Sequence, residues 1–277
     1  MPESARTLQD THFIAFDLET TGLQPTSCRI VEVGAVRFRG DGQVLNEFQS
    51  LVNPNYSIPE RVIEVHGITD EMVQDEPTFE EVSDRLIQFL GDDPAVLLAH
   101  NAGFDVGFLS VELGRLRRPL PLNPVLDTCG LARRRVASPN HKLETLGRHF
   151  GLVETEVHRA LDDAALLKDV FFHLLDQPPP IREIGELFAQ AQRHDFASAA
   201  EFVETPLPGF EPLWNAVPTE SPIEVVYRGG SSPGVRRMIT PRGFVRQNRH
   251  LYVIAFCHRS KIEKTFRLDR MSLFEPS

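Results

Sequence analysis

Apolar residues run almost unbroken from His12 to Leu18, the pattern of a central strand buried on both faces. Ile30 to Phe38 and Val44 to Val52 predict the next two strands, parted by the turn Gly40-Asp41-Gly42. Thr78 followed by Glu81 is a capping-box pattern. Val82, Leu86, Phe89 and Leu90 then recur at helical spacing. Ala95 to Ala99 predicts a short strand, with a helix beginning near Ala102, and Leu122 to Leu126 a further, less regular strand. A last long helix is expected over Ala160 to Leu175, with Ala164, Leu167, Phe171 and Leu174 on one stripe.

Pro178-Pro179-Pro180 stops that helix, because proline lacks the amide donor and clashes with the preceding turn. A short helix, Ile184 to Gln192, follows. The prolines at 206, 208, 212, 218 and 222 then read as a linker or an extended segment on a surface. The remainder is β-like, with strands expected at Ile223 to Tyr227, Arg237 to Thr240, Leu251 to Phe256 and Lys264 to Leu268. The pattern divides the chain into an α/β domain (residues 10–177), a helix with a proline-rich linker (178–221) and a small β-module (222–277).

Composition adds a charge split. The net charge of −10 argues against polyanion binding by the whole surface. From Ser221 onward, however, 11 Lys or Arg face 4 Asp or Glu, a net +7, and the preceding residues carry −17. A basic tail on an acidic body predicts two modules with different tasks. No apolar run is long enough for a membrane span, and the polar start lacks the apolar core of a signal peptide. Cys28, Cys129 and Cys257 are odd in number and widely spaced. A cytoplasmic protein without a disulfide frame is therefore expected.

The candidate chemistry lies in the acids. Asp17 and Glu19 are two apart on the first strand, so both side chains leave one face. Asp105 sits near the start of the helix after a buried strand, in HNAGFD. His158 and Asp163 are five apart, about 140° around an ideal helix, and share a site if His158 lies in the loop entering that helix. Asp162 is the neighbouring alternative, better suited to stabilising an exposed helix start. Two carboxylates about 4 Å apart repel by about 4 kcal/mol at an effective dielectric of 20. A cluster of four therefore calls for cations, and oxygen ligands favour Mg²⁺ or Mn²⁺ over zinc. Asp-x-Glu alone is equally what an N-cap acid beside a surface acid would give.

FDLETTGL, HNAGFDVGFL and HRALDDA, with VHGITDEM and HKLETLGRHFGL, resemble the segments of the DEDDh 3′→5′ exonucleases. That family includes the epsilon proofreading subunit of bacterial DNA polymerase III. The resemblance spans about His12 to Leu175. It implies an RNase H-like mixed five-stranded sheet flanked by helices. It also implies two Mg²⁺ or Mn²⁺ ions, with Asp17, Glu19 and Asp163 on the first and Asp17 bridging to a second that Asp105 supports. His158 would take the proton of the attacking water. Thr20, Thr21, Gly22 and Leu23 would line the terminal nucleotide, with Phe104 also in contact, and His66 and Asn101 near the sugar or backbone. For His66 and Asn101, simple turn chemistry is the alternative.

Residues Ile223 to Met271 resemble the C-terminal β part of WYL domains, which implies a small SH3-like barrel able to bind nucleic acid or regulatory ligands. Arg236, Arg237, Arg242, Arg246 and Arg249 are the candidate contacts; a solvated basic face is the alternative. Met271 to Phe274 resembles a sliding-clamp-binding peptide with Arg270 in place of the usual glutamine, and it would equally finish a strand. The expected function is release of nucleoside 5′-monophosphates from the 3′ end of DNA, in repair or proofreading with replication or repair proteins. An RNA-trimming exonuclease, or a nucleic-acid-binding regulator with a vestigial nuclease domain, are the alternatives.

Overall fold

The structure, a computed structural model, describes residues 7–91, 94–154, 158–203, 205–230, 233–247 and 249–273. They group into two compact units, Met1–Leu23 with Cys28–Phe196, and Gln24–Ser27 with Ala197–Ser277.

In the first unit the strands are β1 (His12–Thr20), β2 (Ile30–Arg39), β3 (Val44–Leu51), β4 (Val96–Ala99), β5 (Val125–Asp127) and β6 (Gln192–His194). The helices are α1 (Glu60–His66), α2 (Asp70–Val73), α3 (Phe79–Gly91), α4 (Gly103–Arg115), α5 (Thr128–Arg135), α6 (Leu143–His149), α7 (Ala160–Asp176) and α8 (Ile184–Gln190). The strands form one mixed sheet in the order β3-β2-β1-β4-β5-β6. β1 runs antiparallel to β2 and parallel to β4, which puts it at the centre. Its unbroken apolar run has this origin: Phe13, Ile14, Ala15 and Phe16 are all buried.

The stripe expected on α7 is what packs. Ala164, Leu167, Phe171 and Leu174 are buried, and Phe171 lies 5.2 Å from Phe13 and 6.5 Å from Phe38, ring to ring. At the head of α3, Glu81 reaches back to the Thr78 amide (2.7 Å), half of the expected capping box. The sheet has six strands where five were expected. Helix α8 ends at Gln190, and Gln192–His194 then pairs antiparallel with β5. A three-residue edge strand has too little alternation to be legible in sequence.

The second unit contains α9 (Phe196–Ala199, whose first residue belongs to the first unit), β7 (Glu201–Phe202), α10 (Glu211–Ala216), β8 (Ile223–Tyr227), β9 (Val235–Gln247), β10 (His250–Cys257), β11 (Ile262–Arg267) and β12 (Met271–Leu273). Its sheet order is β11-β10-β9-β8-β12, with β7 also on β9. The expected SH3-like barrel is not closed: among the described residues β11 and β12 are the two ends of an open sheet. The long β9 pairs with β8 through its first half, with β10 from Ile239 onward and with β7 near its end, so one strand serves three neighbours without joining the ends. Val225, Ile239, Phe244, Val253 and Phe266 form the core.

Residues 178–221, expected as helix and linker, are divided between the units. Pro212 lies in the first turn of α10, where a missing amide costs nothing, and Leu213 is fully buried in the second core. The end of the clamp-like segment, Phe274, lies outside the described residues. Among the described residues no helix is long and apolar enough to cross a membrane.

Candidate active site

The site forms where β1 ends, beneath the first turns of α4 and α7. Asp17 and Glu19 leave one face of β1, and their partners on β2 are Gly34 and Glu32. Across-strand partners share a face, so these four positions make the floor. Gly34 is a packing requirement: a Cβ there would sit 2.1 Å from the Ala160 carbonyl carbon. The first turn of α7 therefore lies directly on β2, which brings His158 and Asp163 against the β1 acids.

From the other side, α4 contributes Asp105, 2% exposed. The turn before it holds Asn101 at a left-handed φ of 65°. Asp127 pins that turn. Its Oδ1 accepts from the Asn101 amide (3.0 Å) and from the Cys129 amide at the head of α5 (2.9 Å).

Asp17, Glu19, Asp105, His158 and Asp163 line one cleft of about 230 Å³, together with Leu18, His100, Asn101, Phe104 and Leu143. Ligand atoms of Glu19, His158 and Asp163 lie within 4.8 Å of one another. Burial raises the Asp17 carboxyl well above the usual range, and the charges of Asp105, Asp163, Glu19 and Glu32 raise it further. Asp105 is raised likewise by burial, against hydrogen bonds from its own amide and that of Leu18. Asp163 is pushed up to about 7 by burial and by Asp162 and Glu32. A cluster whose ionisation is opposed in this way suits a bound cation, and its donors are those that hard divalent ions take.

The other expected contacts divide. Asn101 and Phe104 line the cleft. Thr20, the last residue of β1, and Thr21 and Gly22 after it are buried, and the Thr20 hydroxyl donates to the Gly22 carbonyl (2.8 Å). Thr21 bonds the Tyr56 hydroxyl and accepts from the Arg29 amide, whereas Leu23 is 77% exposed. His66 is buried, and its Nδ1 accepts from the Ile68 amide (3.0 Å), so the proton resides on Nε2, which is turned to the Thr20 carbonyl. Burial lowers its pKa.

In the second unit Arg236, Arg242 and Arg246 reach Glu224, Glu220 and Glu201. Arg237 is 9% exposed, its guanidinium 5.8 Å from the Tyr227 ring centre, so it belongs to the packing of that sheet. Arg249 is an exposed turn residue at φ 66°.

The sequence reading missed His100, Asp127, Glu32 and Arg159. His100 is saturated: Nε2 donates to the His141 carbonyl (2.7 Å) and Nδ1 faces the Thr128 hydroxyl (3.0 Å). Burial holds it neutral, so it is a wall of the cleft. Its position in HNAGFD was visible; its partners, 28 and 41 residues away, were not.

A mixed sheet with carboxylates gathered at the end of its central strand is the architecture of a nuclease. The chain belongs to the RNase T exonuclease family, whose model matches residues 14–171. A WYL domain matches residues 208–276. A protein of Mycobacterium tuberculosis named as a bifunctional exonuclease/endonuclease is 42% identical over 185 residues, 64% of this chain and 28% of that one. The PolC-type DNA polymerase III of Oceanobacillus iheyensis is 39% identical over 163 residues, 58% of this chain and 11% of that one. The chain thus spans well under a third of the length of these relatives. Among solved structures, the nuclease domain of 3′hExo, a DEDDh family member bound to rAMP, shares the fold with a TM-score of 0.54 and 20% identity. That likeness covers 63% of this chain and 96% of the other. Exonuclease I of E. coli in complex with a dT13 oligonucleotide shares the fold with a TM-score of 0.57 and 16% identity, over 89% of this chain and 55% of the other.

Proposed function

We propose that the chain is a 3′→5′ exonuclease that hydrolyses nucleic acid, DNA in the first place, to nucleoside 5′-monophosphates with two Mg²⁺ or Mn²⁺ ions. The observation that carries this reading is the meeting of Asp17, Glu19, Asp105, His158 and Asp163 in one cleft. Family membership and the PolC-type relatives support a polynucleotide substrate.

The four carboxylates would hold the ions. When bound, the ions supply the charge that relieves the carboxylate cluster, activates water and stabilises the attacking and leaving oxygens. His158 accepts the proton that the attacking water gives up, a task suited to an imidazole near neutrality. Phe104 and Leu143 offer apolar surface to the terminal nucleotide, and Asn101 offers an amide. The Nε2–H of His66, beside Thr20, is a donor proposed for a sugar or phosphate oxygen. Thr20 to Leu23 complete the nucleotide-binding edge, with the exposed Leu23 free to meet a base.

The WYL-like unit is proposed to retain the substrate strand by charge. Arg236, Arg242, Arg246 and Arg249 are its exposed candidates, and phosphates would compete with the acidic partners of the first three. A proofreading or repair role beside replication proteins is proposed on the likeness to PolC-type DNA polymerase III. A cytoplasmic setting is proposed on the odd number and wide spacing of Cys28, Cys129 and Cys257.

The test is product analysis on 3′-labelled and 5′-labelled DNA and RNA oligonucleotides, with Mg²⁺, Mn²⁺ or EDTA. Mononucleotides released stepwise from the 3′ end of DNA, only with metal, are expected. Faster turnover of RNA would move the substrate to RNA. Binding without hydrolysis would make the chain a nucleic-acid-binding protein with an inactive nuclease fold.

A further inference from the structure

One acid of the floor differs from the rest. Glu32 is completely buried, yet its carboxyl is lowered from the usual carboxylate pKa. Hydrogen bonds outweigh the burial. Arg159 Nη2 donates to Oε1 at 2.7 Å and Arg159 Nε to Oε2 at 3.0 Å, a two-point guanidinium–carboxylate contact. The Ala160 amide donates to Oε2 at 3.0 Å, and Gln49 Nε2 to Oε1 at 3.0 Å. Both oxygens are occupied by donors from the protein, so Glu32 has no lone pair turned toward a cation. It stands in the acid cluster without the means to be a ligand.

Its donors show what it holds. Helix α7 begins at Ala160, and its own N-cap, Arg159, supplies no side-chain cap. The first amide of a helix lacks an intrahelical acceptor, and here Glu32, from a strand 128 residues earlier, provides one. The same carboxylate holds the Arg159 side chain, and His158 is the next residue back along the chain. Three successive residues are thereby tied to the sheet: His158 through its neighbour, Arg159 by two hydrogen bonds and Ala160 by its amide. Glu32 is also the register partner of Glu19, so the tie is made beside the acids that His158 must serve.

We infer that Glu32 is a positioning residue for His158, capping α7 from the adjoining strand and, through Arg159, fixing the backbone on which the proton acceptor sits. This rests on the nuclease reading for its consequence in turnover; the tie itself is a property of the metal-free protein.

The experiment combines Glu32→Gln with His158→Ala. Glu32→Gln keeps shape and one acceptor but removes the charge from the two-point contact. Misplacement of a proton acceptor by about 1 Å costs roughly 10²-fold. In the single variant kcat should fall by about that factor, with KM for an oligonucleotide and Mn²⁺ affinity by calorimetry each within about threefold of the parent. In the His158→Ala background the same change should lower kcat less than about twofold, because the group it positions is gone. A full, additive loss there would overturn the inference, as would a kcat restored by saturating Mn²⁺. The His158 imidazole NMR signals of the metal-free protein, assigned by their loss in His158→Ala, read the tie without turnover. One sharp set should become broadened or multiple in Glu32→Gln, and an unchanged set would overturn the inference. If the parent enzyme releases no nucleotide, the nuclease reading fails while the NMR result still decides the tie. If Glu32→Gln does not fold, Arg159→Lys serves: it keeps the charge and loses the two-point contact. It should broaden the same signals, and failure to do so overturns the proposal equally.

Discussion

Asp17 stands opposite Gly34 in the β1–β2 ladder, and the missing side chain of Gly34 is the space that α7 occupies. The carboxylate on one strand and the helix carrying Asp163 are brought together by a residue that contributes no functional group.

Gly34→Ala should therefore act as strongly as loss of a ligand. The new methyl would sit 2.1 Å from backbone, which cannot yield as a side chain tip does. Overpacking of this kind costs about 1–3 kcal/mol or more. A lowered melting temperature together with a fall in activity per folded molecule is expected. Full activity in a folded variant would mean that α7 does not need this contact.

Asp17→Ala and Asp163→Ala should abolish turnover and leave the chain folded, because removing either acid relieves a cluster whose ionisation is opposed. Circular dichroism and a thermal melt beside the nuclease assay check both halves.

The pH dependence has a definite sign. Asp163 titrates near 7 in the folded chain against about 3.9 in an unfolded one. The folded state then binds the extra proton, so the metal-free protein loses stability as pH rises from about 4 to 7, by at most about 4 kcal/mol from this group. Asp163→Asn should raise the melting temperature at pH 8 in EDTA and have little effect at pH 4. A metal ion should abolish the difference for the parent protein by stabilising the ionised cluster. Equal effects at both pH values would refute the burial of a charged Asp163.

His158→Ala should lower kcat by roughly 10²–10⁴, the range for loss of a general base. His158 is close enough to Glu19 and Asp163 to reach a shared ion, so calorimetry decides its role. Retained Mn²⁺ binding identifies the proton acceptor, and lost binding a ligand.

In the second unit, Arg242→Glu combined with Arg249→Glu should raise KM for long oligonucleotides and leave kcat near the parent value. The effect should shrink as salt rises, since phosphate contacts act through counterion release. Equal losses on long and short substrates, or losses independent of salt, would assign these arginines to packing.

The strand periodicity of β1, the stripe on α7 and the five cleft residues were legible because each is a local pattern. What escaped was relational. Glu32 sits in an apolar strand, and nothing near it in sequence announces Arg159. Asp127 caps α5, and its second task, holding the Asn101 turn, joins residues 26 apart. The open second sheet was hidden for a similar reason. The alternation along β9 reports which residues face inward, not whether the last strand meets the first. β6 was lost because three residues carry too little period.

The distribution of the cleft residues along the chain sets when the cleft is completed as the protein is made. Asp17, Glu19 and Asp105 emerge first, but His158 and Asp163 follow only just before and within α7, more than 50 residues after Asp105. Until Ala160 lies down on Gly34 the three early acids are without His158 and Asp163. On the nuclease reading proposed above, a chain that ends before α7 would lack part of its cleft, and hydrolysis would report that the sheet and its last long helix have closed together.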